Sequence, residues 1–222
     1  IVSFLEGKAK NILSPDNCRS LGQEVARMHL ITKNFKIQRQ NDLSIGSWRK
    51  IFEQVKDKCT NIHEDLPKLI ESNLNDVEKN WPMDLPKGII HADLFCDNIF
   101  FKDDKFNGII DFYFSCNDFY ALEIAICFNA LCFDGSKDNL SFNVTKAKNF
   151  MDGYNQLRKL NKSERENIKI LSQGSALRFL LTRVFDSIYT VEGAIVKVKD
   201  PMEYLVRLEF HKNSKNFEDY FF

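Results

Sequence analysis

Apolar residues recur at helical spacing along most of the chain, which predicts amphipathic helices that pack one face on a core. The predicted helices cover residues 15–32, 47–59, 66–81, 144–160, 164–189 and 201–210. A further segment, residues 120–133, is apolar on all sides, so we expect a buried helix. The tail after residue 211 mixes Lys, Asn and aromatic residues and is expected to be loosely held.

Polar side chains at the predicted helix starts indicate caps, because they accept hydrogen bonds from the first free N–H groups of a helix. Ser14, followed by Pro15, is expected to cap the first helix. Ser163 and Glu166 have the spacing of a capping box for the long helix. Asn117 or Asp118 is expected to cap the buried helix.

The centre of the chain has a different pattern, with short apolar runs around a polar turn. Ile99–Phe101 and Gly108–Phe112 flank this turn, as in a β-hairpin, and Ile89 and Ile90 form another apolar run just before them. The predicted fold class is therefore α+β, mostly helical, with small central β-hairpins.

Composition excludes several classes of function. The 31 basic and 31 acidic side chains cancel, so no electrostatic footprint for nucleic acid is expected. No apolar run has the length of a membrane span, and the first residues do not resemble a signal peptide. The six cysteines lack zinc spacing, and we expect reduced thiols in a cytoplasmic protein.

The candidate chemistry lies in the central segment, which reads H-A-D-L-F-C-D-N from His91 to Asn98 and I-D-F around Asp111. Phosphoryl transfer needs a carboxylate near the acceptor hydroxyl and oxygen ligands for the magnesium on the nucleotide phosphates. Asp93, followed five residues later by Asn98 and then by Asp111, has the order of these groups in a kinase catalytic loop. We expect His91 to brace the loop by hydrogen bonds rather than to transfer protons.

These motifs, and others along nearly the whole chain, resemble the homoserine kinases of the aminoglycoside-phosphotransferase and choline-kinase superfamily. The similar segments are Val2–Gly7, Ile90–Asn98, Ile110–Asp118, Ile126–Phe133, Gly174–Arg183 and Glu192–Pro201. The last four separate this group from the aminoglycoside and choline kinases. The resemblance implies the C-terminal lobe of a protein-kinase-like fold, formed by residues 8–222, with residues 1–7 as the hinge from an N-terminal lobe.

By this resemblance the chain would phosphorylate the side-chain hydroxyl of L-homoserine, a step of threonine biosynthesis, with ATP and Mg²⁺. Asp93 would be the catalytic base, and Asn98 and Asp111 would bind the metal. The backbone at Phe4 and Leu5 would contact the adenine. Two features depart from the superfamily: Glu123 begins a segment that often reads Asp-Leu-Ala, and the chain begins at the hinge.

The zwitterionic substrate would need a cation and an anion of the protein. Arg178 and Arg183 are candidates for its carboxylate, and Asp118 and Asp186 for its amine. For Arg178 an ordinary ion pair on a solvated helix face is an equal alternative, and for Arg183 the ion pair is favoured.

Two other functions remain open. The first is a kinase for another small alcohol, such as choline, an aminoglycoside or a methylthio-sugar. The second is a non-catalytic lobe, because the resemblance places a phosphate-contacting lysine in the N-terminal lobe.

Overall fold

The computed structural model describes residues 4–136, 139–190 and 198–221. Part of the predicted hinge, residues 1–3, lies outside these ranges. So do residues 192–197 of the C-terminal segment that resembles the homoserine kinases.

The fold is mostly helical, at 59%, with small antiparallel sheets, so the predicted fold class is confirmed. The helices are α1 (Pro15–Ile31), α2 (Ile45–Val55), α3 (Leu66–Asn80), α4 (Tyr120–Leu131), α5 (Val144–Leu157), α6 (Lys162–Tyr189) and α7 (Met202–Asn213). Helix α4 is buried on nearly every side, as its uniform hydrophobicity predicts, and packs mainly against α6. None of the helices in the described ranges is long and apolar enough to span a bilayer.

The strands are short: β1 (Lys8–Ala9), β2 (Lys87–Ile90), β3 (Ile99–Lys102), β4 (Lys105–Ile109), β5 (Cys116–Phe119), β6 (Phe133–Asp134) and β7 (Ser141–Phe142). The hairpin of β3 and β4 is confirmed, and β1 adds to the other edge of β3. Strand β2 pairs with β5, in the register Ile90 to Cys116, a pairing the sequence did not predict. The pairing brings the two ends of the segment between β2 and β5 together. Both polar motifs lie in this segment.

Two predicted caps are wrong. Helix α6 begins two residues early, where Asn161 and Glu164 form the capping box: Asn161 Oδ1 accepts from the Glu164 N–H at 2.8 Å, and Glu164 Oε2 accepts from the Asn161 N–H at 3.0 Å. Neither Asn117 nor Asp118 caps α4, because both lie in β5 and the strand continues to Phe119. The Ser14 cap of α1 is confirmed.

The C-terminal tail, expected to be loose, is anchored in the core. Tyr220 is fully buried, and its hydroxyl lies 3.0 Å from Nδ1 of His211. Nε2 of His211 lies 3.0 Å from Oδ1 of Asn129 on α4. A buried polar chain thus fastens the end of the molecule to its central helix.

Candidate active site

The loop between β2 and β3 contains Ala92, whose φ of 65° lies in the left-handed region that side chains disfavour. Two buried, ionisable side chains hold this residue from opposite sides. The N–H of Ala92 donates to Glu123 on α4 at 3.2 Å, and its carbonyl oxygen accepts from Nη1 of Arg178 on α6 at 2.6 Å. The N–H of His91 also donates to Glu123. The direction of Asp93, the next residue, is thereby set by two helices.

His91 braces the same loop. Its Nε2 lies 2.8 Å from the carbonyl oxygen of Ile110, and its Nδ1 lies 3.3 Å from the N–H of Asp93. These contacts are consistent with a neutral ring that donates through Nε2 and accepts through Nδ1, and burial lowers the pKa of His91. The hydrogen bonds agree with the bracing role expected from the sequence.

Asn98 and Asp111 meet beside Asp93. Nδ2 of Asn98 donates to the backbone oxygen of Asp93 at 2.9 Å, which leaves Oδ1 of Asn98 as a ligand atom. The N–H of Ile110 donates to the backbone oxygen of Asn98 at 3.0 Å, so the two polar motifs are joined directly. Asp111 has a left-handed backbone, with φ of 60°, and follows Ile110.

All three residues line one cavity of about 580 Å³. Its wall combines carboxylates, cations and aromatic rings: Asp93, Phe95, Asp97, Asn98, Asp111, Phe179, Thr182, Arg183, Asp186, Tyr189, Thr190, Val198 and Lys199. Asp93, Asn98 and Asp111 thus lie on the wall of the same cavity. Two hard oxygen groups, from Asn98 and Asp111, are donors of the kind that Mg²⁺ prefers.

Burial raises the pKa of Asp93, while the Arg178 guanidinium acts in the opposite direction. A carboxylate that is partly desolvated is a stronger base than one in water. Asp93 therefore lies in the cavity wall as a partly desolvated carboxylate.

The contacts of Arg178 are not those of an ion pair on a solvated helix face. Arg178 is only 4% exposed, so it is not on a solvated helix face, and its guanidinium lies 4.5 Å from the ring centroid of Phe179. Burial lowers its pKa, and its hydrogen bond goes to the backbone of Ala92 rather than into the cavity. Its contacts are those of a residue that positions the loop.

Of the other predicted site residues, some line the cavity and some do not. Arg183 lines the cavity and also contacts Glu203, with Nη1 2.9 Å from Oε2. Asp118 does not line it, and its carboxylate accepts from Asn41 Nδ2 at 2.7 Å. Phe4 is 89% exposed and Leu5 packs over Gly108; neither lines the cavity.

Sequence reasoning missed the contacts of Glu123 and Arg178 with the loop and the presence of Lys199 at the cavity. Glu123 was recognised only as a departure from the superfamily pattern. Arg178 is 86 residues from its partner, and Lys199 also comes from a distant part of the chain. No local spacing signals such contacts, because they depend on how α4 and α6 pack.

Comparisons with known proteins agree with this geometry. The phosphotransferase enzyme family matches residues 1–158. A homoserine kinase of Agrobacterium fabrum is 43% identical over 220 residues, and one of Nitrobacter hamburgensis is 42% identical. Each match covers 99% of this chain and 67% of the relative, so the chain spans about two thirds of their length.

Solved structures resemble it in fold. An amicoumacin kinase, hAmiN, in complex with AMP-PNP, Ca²⁺ and Ami superposes with a TM-score of 0.62 at 13% identity, over 97% of this chain and 64% of that one. A choline kinase from Cryptosporidium parvum superposes with a TM-score of 0.64 at 14% identity, over 94% of this chain and 68% of that one. At such low identity the likeness concerns the fold alone.

Proposed function

We propose that this chain, which belongs to the phosphotransferase enzyme family and within it to the homoserine kinases, transfers a phosphoryl group from ATP to the side-chain hydroxyl of L-homoserine. The observation that carries the proposal is the convergence of Asp93, Asn98 and Asp111 on one cavity. One hydrogen bond within the Asp93–Asn98 loop and one from Ile110 to Asn98 connect the three residues.

Asp93 is the catalytic base in this proposal. It orients the acceptor hydroxyl and takes its proton, and the desolvation that raises its pKa favours this transfer. The clamp on Ala92 keeps the carboxylate in place before substrate binds, so little reorganisation is needed during the reaction.

Asn98 and Asp111 would hold Mg²⁺ together with the nucleotide phosphates. Their hard oxygen atoms fit this ion, and a metal shared with phosphate needs few protein ligands. When bound, it would offset the negative charge on the transferred phosphoryl group. We also propose that residues 1–7 are the hinge of the kinase fold, with the backbone of Phe4 and Leu5 at the adenine, and that residues 8–222 form its C-terminal lobe.

The cavity favours an amino acid over the other acceptors. Choline and aminoglycosides are cationic and would gain nothing from Arg183 in the wall. A zwitterion can use this cation and also a carboxylate of the same cavity.

The test is an acceptor panel. The complete gene product that contains this chain is assayed with ATP and Mg²⁺ against L-homoserine, choline, an aminoglycoside and a methylthio-sugar. We expect L-homoserine to have the highest kcat/KM. A higher kcat/KM for another alcohol would contradict L-homoserine as the acceptor. If no alcohol is phosphorylated, the proposed kinase activity is wrong.

A further inference from the structure

Two residues of α6, Arg183 and Asp186, line the cavity with opposite charges. They are three positions apart, and residues at this spacing are neighbours on one helix face. The ion pair of Arg183 within the described residues is with Glu203 on α7, not with Asp186. One face of α6 therefore carries a cation and an anion that are neighbours, with no ion pair between the two among the described residues.

Arg183 is held rigidly from one side. Its Nη1 donates to the backbone oxygen of Asp200 at 2.8 Å and to Glu203 at 2.9 Å, and the guanidinium lies 4.5 Å from the ring centroid of Tyr204. Only 11% of the side chain is exposed, although it lines the cavity. Because a guanidinium has five N–H groups in a planar fork, the contacts through Nη1 leave other donors for a carboxylate.

Asp186 offers the complementary group. In the ranges that the structure describes, no side-chain donor or cation pairs with its carboxylate. Asp186 lines the cavity, and burial raises the pKa of its carboxyl group. A bound ammonium group would give this carboxylate the ion pair that it lacks among the described residues.

We infer that Arg183 binds the α-carboxylate of the acceptor amino acid and that Asp186 binds its α-ammonium group. The two groups of an amino acid share one carbon, which suits neighbouring charges on one helix face. The side-chain hydroxyl is then free to reach Asp93 in the same cavity. This assignment rests on the proposed function and adds to it the residues that select an amino acid.

Other charged residues fit these roles less well. Arg178 is committed to Ala92, and Asp118 does not line the cavity. Lys199 does line it, but its side chain is 57% exposed and lies 3.9 Å from Asp97. Lys199 is therefore the matched control, a cation of the same cavity to which no subsite is assigned.

The experiment crosses three variants with three acceptors in the complete gene product. The variants are Arg183→Gln, Asp186→Asn and Lys199→Gln. The acceptors are L-homoserine, 4-hydroxybutanoate, which lacks the ammonium group, and 3-aminopropan-1-ol, which lacks the carboxylate. kcat/KM is measured for each pair with ATP and Mg²⁺.

We expect Asp186→Asn to lower kcat/KM by ~10–100-fold for the two acceptors that carry an ammonium group, as for the loss of a hydrogen bond to a charged group. Its effect on 4-hydroxybutanoate is expected to be small. Arg183→Gln is expected to lower kcat/KM by ~10–100-fold for the two acceptors that carry a carboxylate and to spare 3-aminopropan-1-ol. Lys199→Gln should affect all three acceptors little.

An equal loss for all three acceptors in either α6 variant would overturn the assignment, and so would a carboxylate-specific loss in Lys199→Gln. Each conclusion compares acceptors within one variant. A lower fraction of folded enzyme reduces kcat/KM equally for all acceptors and does not change their ratio. If Arg183→Gln does not fold, Arg183→Lys, which keeps the charge but loses the fork, should show the same selectivity more weakly. A wild-type enzyme that does not phosphorylate L-homoserine contradicts the proposed function instead, which separates the two failures.

Discussion

The left-handed backbone of Ala92 shows how single residues prepare the site. Such a conformation costs a residue other than glycine ~1–3 kcal/mol and persists where surrounding contacts impose it. Here Glu123 and Arg178 impose it through the two polar groups of Ala92. The strain is therefore adjacent to Asp93, where a fixed carboxylate direction matters most.

Replacement of Asp93 tests its role as base. Asp93→Asn keeps the size of the side chain but removes the proton acceptor, so we expect kcat to fall by ~10²–10⁴-fold. The melting temperature, measured in parallel, should not fall, because burial opposes the charge that the variant removes. Turnover within a few-fold of wild type would remove Asp93 from the mechanism.

Replacement of Asp111 tests the metal site. Asp111→Ala removes one anionic ligand, so the concentration of Mg²⁺ needed for half-maximal activity should rise and kcat should fall. Asp97→Ala is the matched control, because Asp97 lines the same cavity but is not assigned to the metal. An unchanged Mg²⁺ dependence in Asp111→Ala would place the metal elsewhere.

At the scale of elements, α1 and α5 cross closely enough that glycine is required. A Cβ on Gly153 would lie 2.0 Å from the backbone oxygen of Arg19, and one on Gly22 would lie 2.1 Å from that of Phe150. The contact is reciprocal, with a glycine of each helix facing the backbone of the other. Backbone atoms cannot rotate away as a side chain does, so an added methyl group must push the helices apart.

The crossing predicts opposite effects for two glycine-to-alanine changes. Gly153→Ala should lower the free energy of unfolding by ~1–3 kcal/mol through overpacking. Gly46→Ala on α2, where nothing lies within 4 Å of the added Cβ, should raise it by up to ~1 kcal/mol through helix propensity. Urea titration of both variants measures the difference, and equal effects would contradict the close crossing.

Helix α4 contributes Glu123, an ionisable side chain that accepts hydrogen bonds from the loop. Glu123 is fully buried, and burial raises its pKa from 4.5 to about 7, although the N–H groups of His91 and Ala92 oppose the shift. The folded protein then binds this proton more tightly than the unfolded chain. The resulting contribution to stability is fully present below about pH 4.5 and is lost as the pH rises through about 7.

Glu123→Gln should remove this pH dependence. Between about pH 4.5 and 8 the free energy of unfolding of the wild type should fall relative to that of the variant by at most ~3 kcal/mol, at ~1.4 kcal/mol per pKa unit. The measurement is denaturant unfolding over this pH range. Glu53→Gln, at an exposed position of α2, is the control, and a slope that Glu123→Gln shares with the wild type would contradict the prediction.

At the scale of the whole molecule, the β2–β3 loop, the end of the β3–β4 hairpin and helix α6 meet at one cavity. The described residues place Asp93, Asn98 and Asp111 together. In the fold that the chain resembles, a Gly-rich cover and a lysine on the phosphates come from an N-terminal lobe. The apolar side chains of Phe4, Phe112 and Tyr113 are exposed in the described residues.

Because the chain spans about two thirds of the length of its relatives, we expect the 222 residues alone to fold but to transfer phosphoryl groups far more slowly than a protein that also contains such a lobe. Both are assayed side by side with ATP, Mg²⁺ and L-homoserine, with circular dichroism as the check on folding. Full-rate turnover by the chain alone would contradict this expectation and would mean that the site needs less of the fold than the resemblance implies.

Sequence alone determined the features that depend on near neighbours. The helices follow from apolar periodicity, the β3–β4 hairpin from its turn, and the order of Asp93, Asn98 and Asp111 from a spacing that the loop and hairpin preserve. His91 belongs with them, since its contacts with Asp93 and Ile110 lie within this segment. In each case, backbone geometry over a few residues is sufficient.

Only the tertiary structure decided which distant groups meet. It brought Arg178 to the backbone of Ala92, directed Asp118 to Asn41 and placed Arg183 and Asp186 in the cavity with Asp93. The pairing of β2 with β5 is of the same kind. The physical reason is that the sequence does not distinguish one charged side chain of a helix from another. The packing of the helices decides which of them are buried and which face the cavity.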